Sequence, residues 1–186
     1  MTNWDERFRT GALTNDPPLA VVEMAIAAAP PGLALDLASG PGRHACLLAQ
    51  RGWRVTAVDS SRVALEQLNA RCPSVATIHA DLAAAYFAIE PAAWDLIVMS
   101  LCYLPELWPA IRRGIRPGGL FAGAFLTSGR FAIRPGEIER EFGGWQLLHC
   151  QEHTAGHGRL EVLARRSDAG DEPPPLTNEG NEPPVR

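Results

Sequence analysis

Two aspartates and two glycines stand at spacings that could hold a charged ligand. Asp36 closes the apolar run LALDL, Gly40 and Gly42 follow in ASGPG, and Asp59 ends the next apolar run, WRVTAV. The glycines let the backbone turn sharply and come close to a bound group. A helix beginning by about Arg43 adds free amides and a positive dipole end, which attract negative charge. Gly40, Gly42 and Ala45 also read as G-x-G-x-x-A, which suits a dinucleotide with Asp59 on its ribose. Asp36, however, would repel a pyrophosphate seated on that helix, and it suits a ligand that carries a cation beside an anion.

These residues need a frame of strands to position them. After Asp16, Pro17 and Pro18, the segment LAVVEMAIAAA reads as a helix capped by Asp16 and stopped at Pro30 and Pro31. LALDL is a buried strand, and residues 41–51 form a helix ending at Gly52. Trp53 to Val58 is a second strand. Ser60 and Ser61 cap a helix carrying Leu65, Leu68 and Cys72 on one face until Pro73. Val75 to His79 and DLIVMS are the third and fourth strands, and the segment LAAAYFAIEPAA between them is left unassigned. Leu104, Leu107, Trp108, Ile111 and Ile115 have helical spacing, ended by RPGG at 116–119. LFAGAFL is a fifth strand, a short helix spans about Pro135 to Phe142, and WQLLHCQEH and RLEVLARR form a hairpin across TAGHG. The alternation predicts an α/β, Rossmann-like three-layer sandwich with a seven-stranded, mostly parallel sheet ending in an antiparallel hairpin.

Composition narrows the partners. The 186 residues suit one domain over 1–166, followed by an acidic, proline-rich tail over 167–186 that is expected to be disordered. That tail holds five acids and one base, so the remaining body balances at 16 of each and shows no basic stripe for nucleic acid. No apolar run reaches the roughly 20 residues of a membrane span, and the N-terminus lacks the apolar core of a signal peptide. A cytoplasmic location is the expectation. The chain has no lysine, which removes a P-loop and any amine catalyst. Cys46, Cys72, Cys102 and Cys150 show no CxxC and are read as reduced, mostly buried thiols.

S-adenosylmethionine (SAM) carries an ammonium, a carboxylate, a sulfonium and a ribose, and so uses both the loop and the two acids. DLASGPGR resembles the first motif of the class I SAM-dependent methyltransferases, and AVDSS, HADL, DLIVMS and RPGGL fall where that family's later motifs do. NWDERFRTG, QRGW and GGW are similar to segments of its tellurite-resistance and thiopurine methyltransferase-like branch. The resemblance implies SAM as cofactor, with Asp36, Ala38, Ser39, Gly40 and Gly42 around the methionine moiety and Arg43 toward its carboxylate. It places Asp59 with Ser60 at the ribose, Asp81 with Leu82 at the adenine, and Ser100 at the strand edge beside the cofactor. Trp4 and Arg7 match a segment that closes over the site, although a frayed terminus is the alternative for that stretch. Ala38 replaces the family's first glycine, which is accommodated where the backbone keeps a negative φ.

The acceptor is less legible. Methyl transfer from a sulfonium needs alignment and exclusion of water more than it needs a catalyst. Tyr103 and Arg134 are candidate substrate-binding residues, and no catalytic residue is assigned. NPPY is missing after the fourth strand, which disfavours amino methylation of bases. His44 is read as an exposed helix-end histidine with a base role open to it. His149, His153 and His157 look like a metal cluster, but four residues of strand separate the first two by roughly 13 Å, so no metal is expected. The reading is transfer of a methyl group from SAM to a small molecule, such as a thiol or chalcogen compound. The alternatives are a non-catalytic SAM-binding protein and an NAD(P)-dependent reductase.

Overall fold

Successive side chains point to opposite faces of one sheet, and helices roof both faces, so the central strands are buried almost continuously. The computed structural model describes residues 3–11, 16–84, 87–129, 131–154 and 158–167. Its seven strands are β1 (Leu33–Leu37), β2 (Arg54–Asp59), β3 (Ala76–His79), β4 (Trp94–Ser100), β5 (Ile115–Leu126), β6 (Gln146–His153) and β7 (Arg159–Arg165). They lie in the order β3-β2-β1-β4-β5-β7-β6. β1 to β5 pair in parallel, and β7 runs antiparallel between β5 and β6. This is the sheet expected from the sequence, and its ending differs from the all-parallel 3-2-1-4-5-6 order of the dinucleotide fold.

The helices are α1 (Trp4–Arg9), α2 (Ala20–Ala28), α3 (Arg43–Gln50), α4 (Arg62–Arg71), α5 (Trp108–Gly114) and α6 (Glu137–Glu141). Val22 of α2, Leu48 of α3 and Leu68 of α4 pack with Ala34, Leu96 and Ala122 on one face. Trp108 and Ile111 of α5 and Ile138 of α6 pack with Leu35, Ile97 and Phe121 on the other. Trp108 anchors that second layer, with Phe121, Phe125 and Phe142 edge-on to its ring at 5.5–5.7 Å. Each such aromatic pair contributes roughly 0.5–1.5 kcal/mol beyond area burial. The strand order reverses between β1 and β4, so the carboxyl ends of these two strands open a crevice.

Three local expectations are corrected. α2 begins at Ala20 after an extended Leu19, with no side-chain cap, because Asp16 lies four residues upstream and pairs with Arg43 instead. The RPGG stretch is absorbed into β5, where pairing shifts between Trp94 and Leu96, so the turn signal marks a bulge in a long strand. Cys46 and Cys72 are joined by a disulfide with their Cα atoms 5.7 Å apart, a separation ordinary for such a bond. Cys102 and Cys150 are free, and Cys150 is exposed. The spacing of 26 residues hid this pair, which α3 and α4 bring together across β2. His157, the rest of the 155–157 turn and the tail beyond Ser167 lie outside the described residues.

Candidate functional site

The site begins in the turn from β1 to α3. Ser39 donates its amide to the Val58 carbonyl at 3.1 Å, and Gly42 donates to the Ser39 carbonyl at 3.1 Å, closing a tight loop. Gly42 has φ +85°, and a Cβ there would stand 2.2 Å from Leu68 Cδ1, so both backbone and packing demand glycine. No side chain caps α3, which leaves its first amides open to a ligand. Ala38 departs from the expectation: its φ is +52°, a left-handed conformation that the turn imposes on a residue with a Cβ. Arg71 reaches from α4 to the Pro41 carbonyl and braces the loop from outside.

Both acids flank this loop. The Gly40 amide donates to Asp59 Oδ2 at 2.7 Å and the Ser61 amide donates to Oδ1 at 2.8 Å, so β2 and the glycine turn are locked together. Burial holds the Asp59 carboxyl above its ordinary range. Asp36 is 1% exposed, and its Oδ2 is a buried atom with no hydrogen-bond partner. Burial pushes its carboxyl up to about 7, against the Ala45 amide, which favours the charged form. A buried, under-satisfied carboxyl beside open amides calls for a cationic group next to an anionic one.

The N-terminal segment is not frayed. Asn3 caps α1 through a 3.2 Å bond from the Glu6 amide, and Phe8 is buried over the glycine turn, 3.4 Å from where a Cβ on Gly40 would lie. Asp5 accepts from the Ser61 hydroxyl at 2.5 Å, a bond that holds its carboxyl below the ordinary range. Trp4 and Arg7 stack on each other at the surface, with the guanidinium carbon 4.7 Å from the ring centre. Phe8 thus makes the contact to the loop and Asp5 the contact to the start of α4, and the sequence reading selected neither. The signal was present: Phe8 is an isolated large apolar residue in a polar stretch.

His44, expected at the surface, is 2% exposed. Its Nε2 accepts from the Leu19 amide at 3.4 Å, so the neutral ring carries its proton on Nδ1, 3.4 Å from Ser100 Oγ. Burial and the Arg43 charge push it down to about 3, so it stays neutral at physiological pH. Arg43 turns from the loop toward Asp16, at 3.5 Å, and the Pro17 carbonyl, at 3.4 Å. It borders an open cavity of about 350 Å³ whose other polar walls are Asp16, His153, Arg159 and the buried Glu161. Strand register explains the placement, because Ser100 pairs with Ala124 and Ala124 with Glu161, one row across the sheet. Arg159 binds Glu161 at 2.8 Å. Among the described residues no group of three His, Cys, Asp or Glu could hold a metal ion.

Residues 34–119 match a family model described as a methyltransferase domain. That segment is similar to a methyltransferase domain. No curated protein matches the sequence. By structure the chain is similar to TehB from Haemophilus influenzae, with a TM-score of 0.73 and 19% identity over 88% of this chain and 67% of that one. It is also similar to the N-methyltransferase NodS from Bradyrhizobium japonicum, which was crystallised with S-adenosyl-l-homocysteine, at TM-score 0.71 and 14% identity over 89% and 99% of the two chains. A third is 1,6-didemethyltoxoflavin-N1-methyltransferase from Burkholderia thailandensis, solved with bound 1,6-didemethyltoxoflavin and S-adenosylhomocysteine, at TM-score 0.63 and 18% identity over 87% of this chain and 84% of that one. The fold is that of the SAM-dependent methyltransferases.

After β3, Asp81 caps the turn at Leu82–Ala84 by accepting the Ala83 amide at 2.9 Å, and Leu82 is buried in the second core layer. Ser60 is exposed, and its carbonyl meets His79 Nε2 at 3.0 Å. Tyr103 and Arg134 come together through a residue that sequence reasoning missed. Glu137 is 3% exposed and accepts from the Tyr103 hydroxyl at 2.6 Å, Trp108 Nε1 at 2.7 Å and the Arg134 amide at 3.2 Å. Burial and Glu137 together push the Tyr103 phenol up to about 12. Burial also pushes the Cys102 thiol up to about 11, near Asp59.

Proposed function

We propose that the chain transfers the methyl group of SAM to a small-molecule acceptor whose nucleophilic atom is a thiol sulfur or another soft chalcogen. The observation that carries the cofactor reading is the partnerless buried Oδ2 of Asp36 beside the uncapped start of α3. An amino acid moiety supplies an ammonium for the first and a carboxylate for the second. SAM, when bound, supplies an activated methyl sulfonium. Asp36 would meet its ammonium, the amides after Gly40 and Gly42 its carboxylate, Asp59 and Ser60 its ribose hydroxyls, and Asp81 with Leu82 its adenine. Ser100, Ser39 and the Ala38 backbone would border the methionine chain. α1, held by Phe8 and Asp5, would exclude water, with Trp4 and Arg7 on its outer side.

The acceptor class follows from the groups along the carboxyl edge of β4. His44 is neutral and has committed both ring nitrogens, Tyr103 gives its proton to Glu137, and Cys102 stays protonated. None of these takes a proton from an amine or alcohol at neutral pH. A soft nucleophile that ionises readily needs no such help, and positioning alone can supply on the order of 7–11 kcal/mol. The test is calorimetry with SAM and S-adenosylhomocysteine, followed by radiolabelled methyl transfer to thiols, selenite, amines and alcohols. Binding together with turnover of the thiol or selenium compounds is expected. Binding of NADH or NADPH in place of SAM would overturn the reading, and turnover of amines alone would overturn the acceptor class.

A further inference from the structure

We propose that Glu137 is a positioning residue, which fixes the Tyr103 hydroxyl at the acceptor side of the crevice by tying the segment after β4 to the start of α6. The proposal rests on the methyl-transfer reading only in calling that side the acceptor side. A buried carboxylate next to the aromatic layer of Trp108, Phe121 and Phe142 adds nothing to apolar packing there, and burying its charge is costly unless donors meet it. Glu137 is met by donors from separate parts of the chain: Tyr103 after β4, Trp108 opening α5, and the Arg134 amide before α6. Trp108 is rigid in the core, so Glu137 hangs the two surface segments from a fixed point.

The segment needs holding. Leu101 has φ +54°, a left-handed conformation that is unfavourable for a residue with a Cβ. It also runs along the site, since Ser100 faces His44 and the Cys102 thiol feels the Asp59 carboxylate. Tyr103 follows directly. Because its proton is given to Glu137, the phenol oxygen meets any ligand with its lone pairs, as a hydrogen-bond acceptor. Glu137 therefore selects for an acceptor molecule that carries a hydrogen-bond donor, such as an N–H or O–H, beside its nucleophilic sulfur, over one that carries only lone pairs.

Three measurements on the full chain test this. The first is an ultraviolet titration, in which Tyr103→Phe identifies the Tyr103 signal between the two tyrosines. In the wild type that phenol should ionise near pH 12, and in Glu137→Gln it should fall toward the ordinary value of about 10. The second is hydrogen exchange over 100–104, which should accelerate in both variants. The third is methyl transfer to thiophenol and to 2-aminothiophenol, which adds an N–H donor: each variant should raise the KM of the second about 10-fold and that of the first less, with SAM affinity unchanged, and the double variant should be no worse than either single one. Unchanged titration and exchange in Glu137→Gln, or losses that add in the double variant, overturn the proposal. If Glu137→Gln does not fold, Tyr103→Phe with unaltered exchange and KM overturns it equally. A wild type that neither binds SAM nor methylates thiophenol refutes the methyl-transfer reading instead, and the titration and exchange still decide the role of Glu137.

Discussion

The Gly40 amide donates to Asp59 Oδ2 at 2.7 Å, so the residue that ends β2 also sets the shape of the turn that follows β1. That carboxylate holds the loop, and in the proposed SAM complex its remaining lone pairs would meet the ribose hydroxyls. Asp59→Ala should weaken SAM binding about 10-fold or more, from loss of hydrogen bonds to a charged group. Asp59→Asn should fall between, because its one carbonyl oxygen can serve Gly40 or Ser61 but not both. Calorimetry across the series measures the order, and equal affinity for all three would contradict the assignment.

Asp36 gives the free protein a pH dependence of definite sign. Its folded carboxyl lies at about 7, above the ordinary 3.8, so the folded state binds more protons than the unfolded state between these values. Stability should therefore fall as pH rises from about 4 to about 7. Asp36→Asn should flatten that slope. SAM binding should run the other way, because a neighbouring ammonium favours the ionised carboxylate. Its affinity should rise with pH up to about 7, with proton release below it. Denaturation curves and calorimetry in buffers of different ionisation enthalpy read both effects.

Ala38 and Gly42 make opposite predictions within one turn. Ala38→Gly relieves a left-handed alanine, worth roughly 1–2 kcal/mol, against roughly 0.5–1 kcal/mol of added chain entropy in the unfolded state. A small net gain in stability is expected, with SAM binding retained. Gly42→Ala adds a methyl against Leu68 at a positive φ and should cost several times more. Thermal melts of the two variants should move in opposite directions.

The Cys46–Cys72 bond closes a 26-residue separation that contains β2 and Asp59. By chain entropy such a closure contributes roughly 3 kcal/mol. Reductant, or Cys46→Ala, should lower the denaturation midpoint correspondingly, and reductant should then have no effect on the variant. Thiol titration under denaturing conditions before and after reduction counts the cysteines directly.

The layered architecture was legible because it rests on local patterns. Apolar runs of strand length, Gly and Pro punctuation, and helical spacing in segments such as Val63–Leu68 are consequences of backbone sterics and of burial, and both act within a few residues. The glycine turn, Asp36 and Asp59 were legible for the same reason, since each acid ends its own strand. Where local signals competed, the reading failed. Asp16 looks like a helix cap until Arg43 is placed beside it. RPGG looks like a stop until the strand is seen to bulge through it.

What the sequence by itself determined was the order of strands and helices and the presence of a glycine turn flanked by two acids. Only the tertiary structure decided that His44 is buried and neutral, that Phe8 seats α1 on the glycine turn and Asp5 ties it to the start of α4, that Cys46 meets Cys72, and that Glu137 holds Tyr103. Each of those depends on residues 25 to 56 positions apart, or on a partner's burial. Spacing along the chain says nothing about desolvation or about which side chains the sheet order brings face to face, and these two quantities set the charge and the reach of every group in the site.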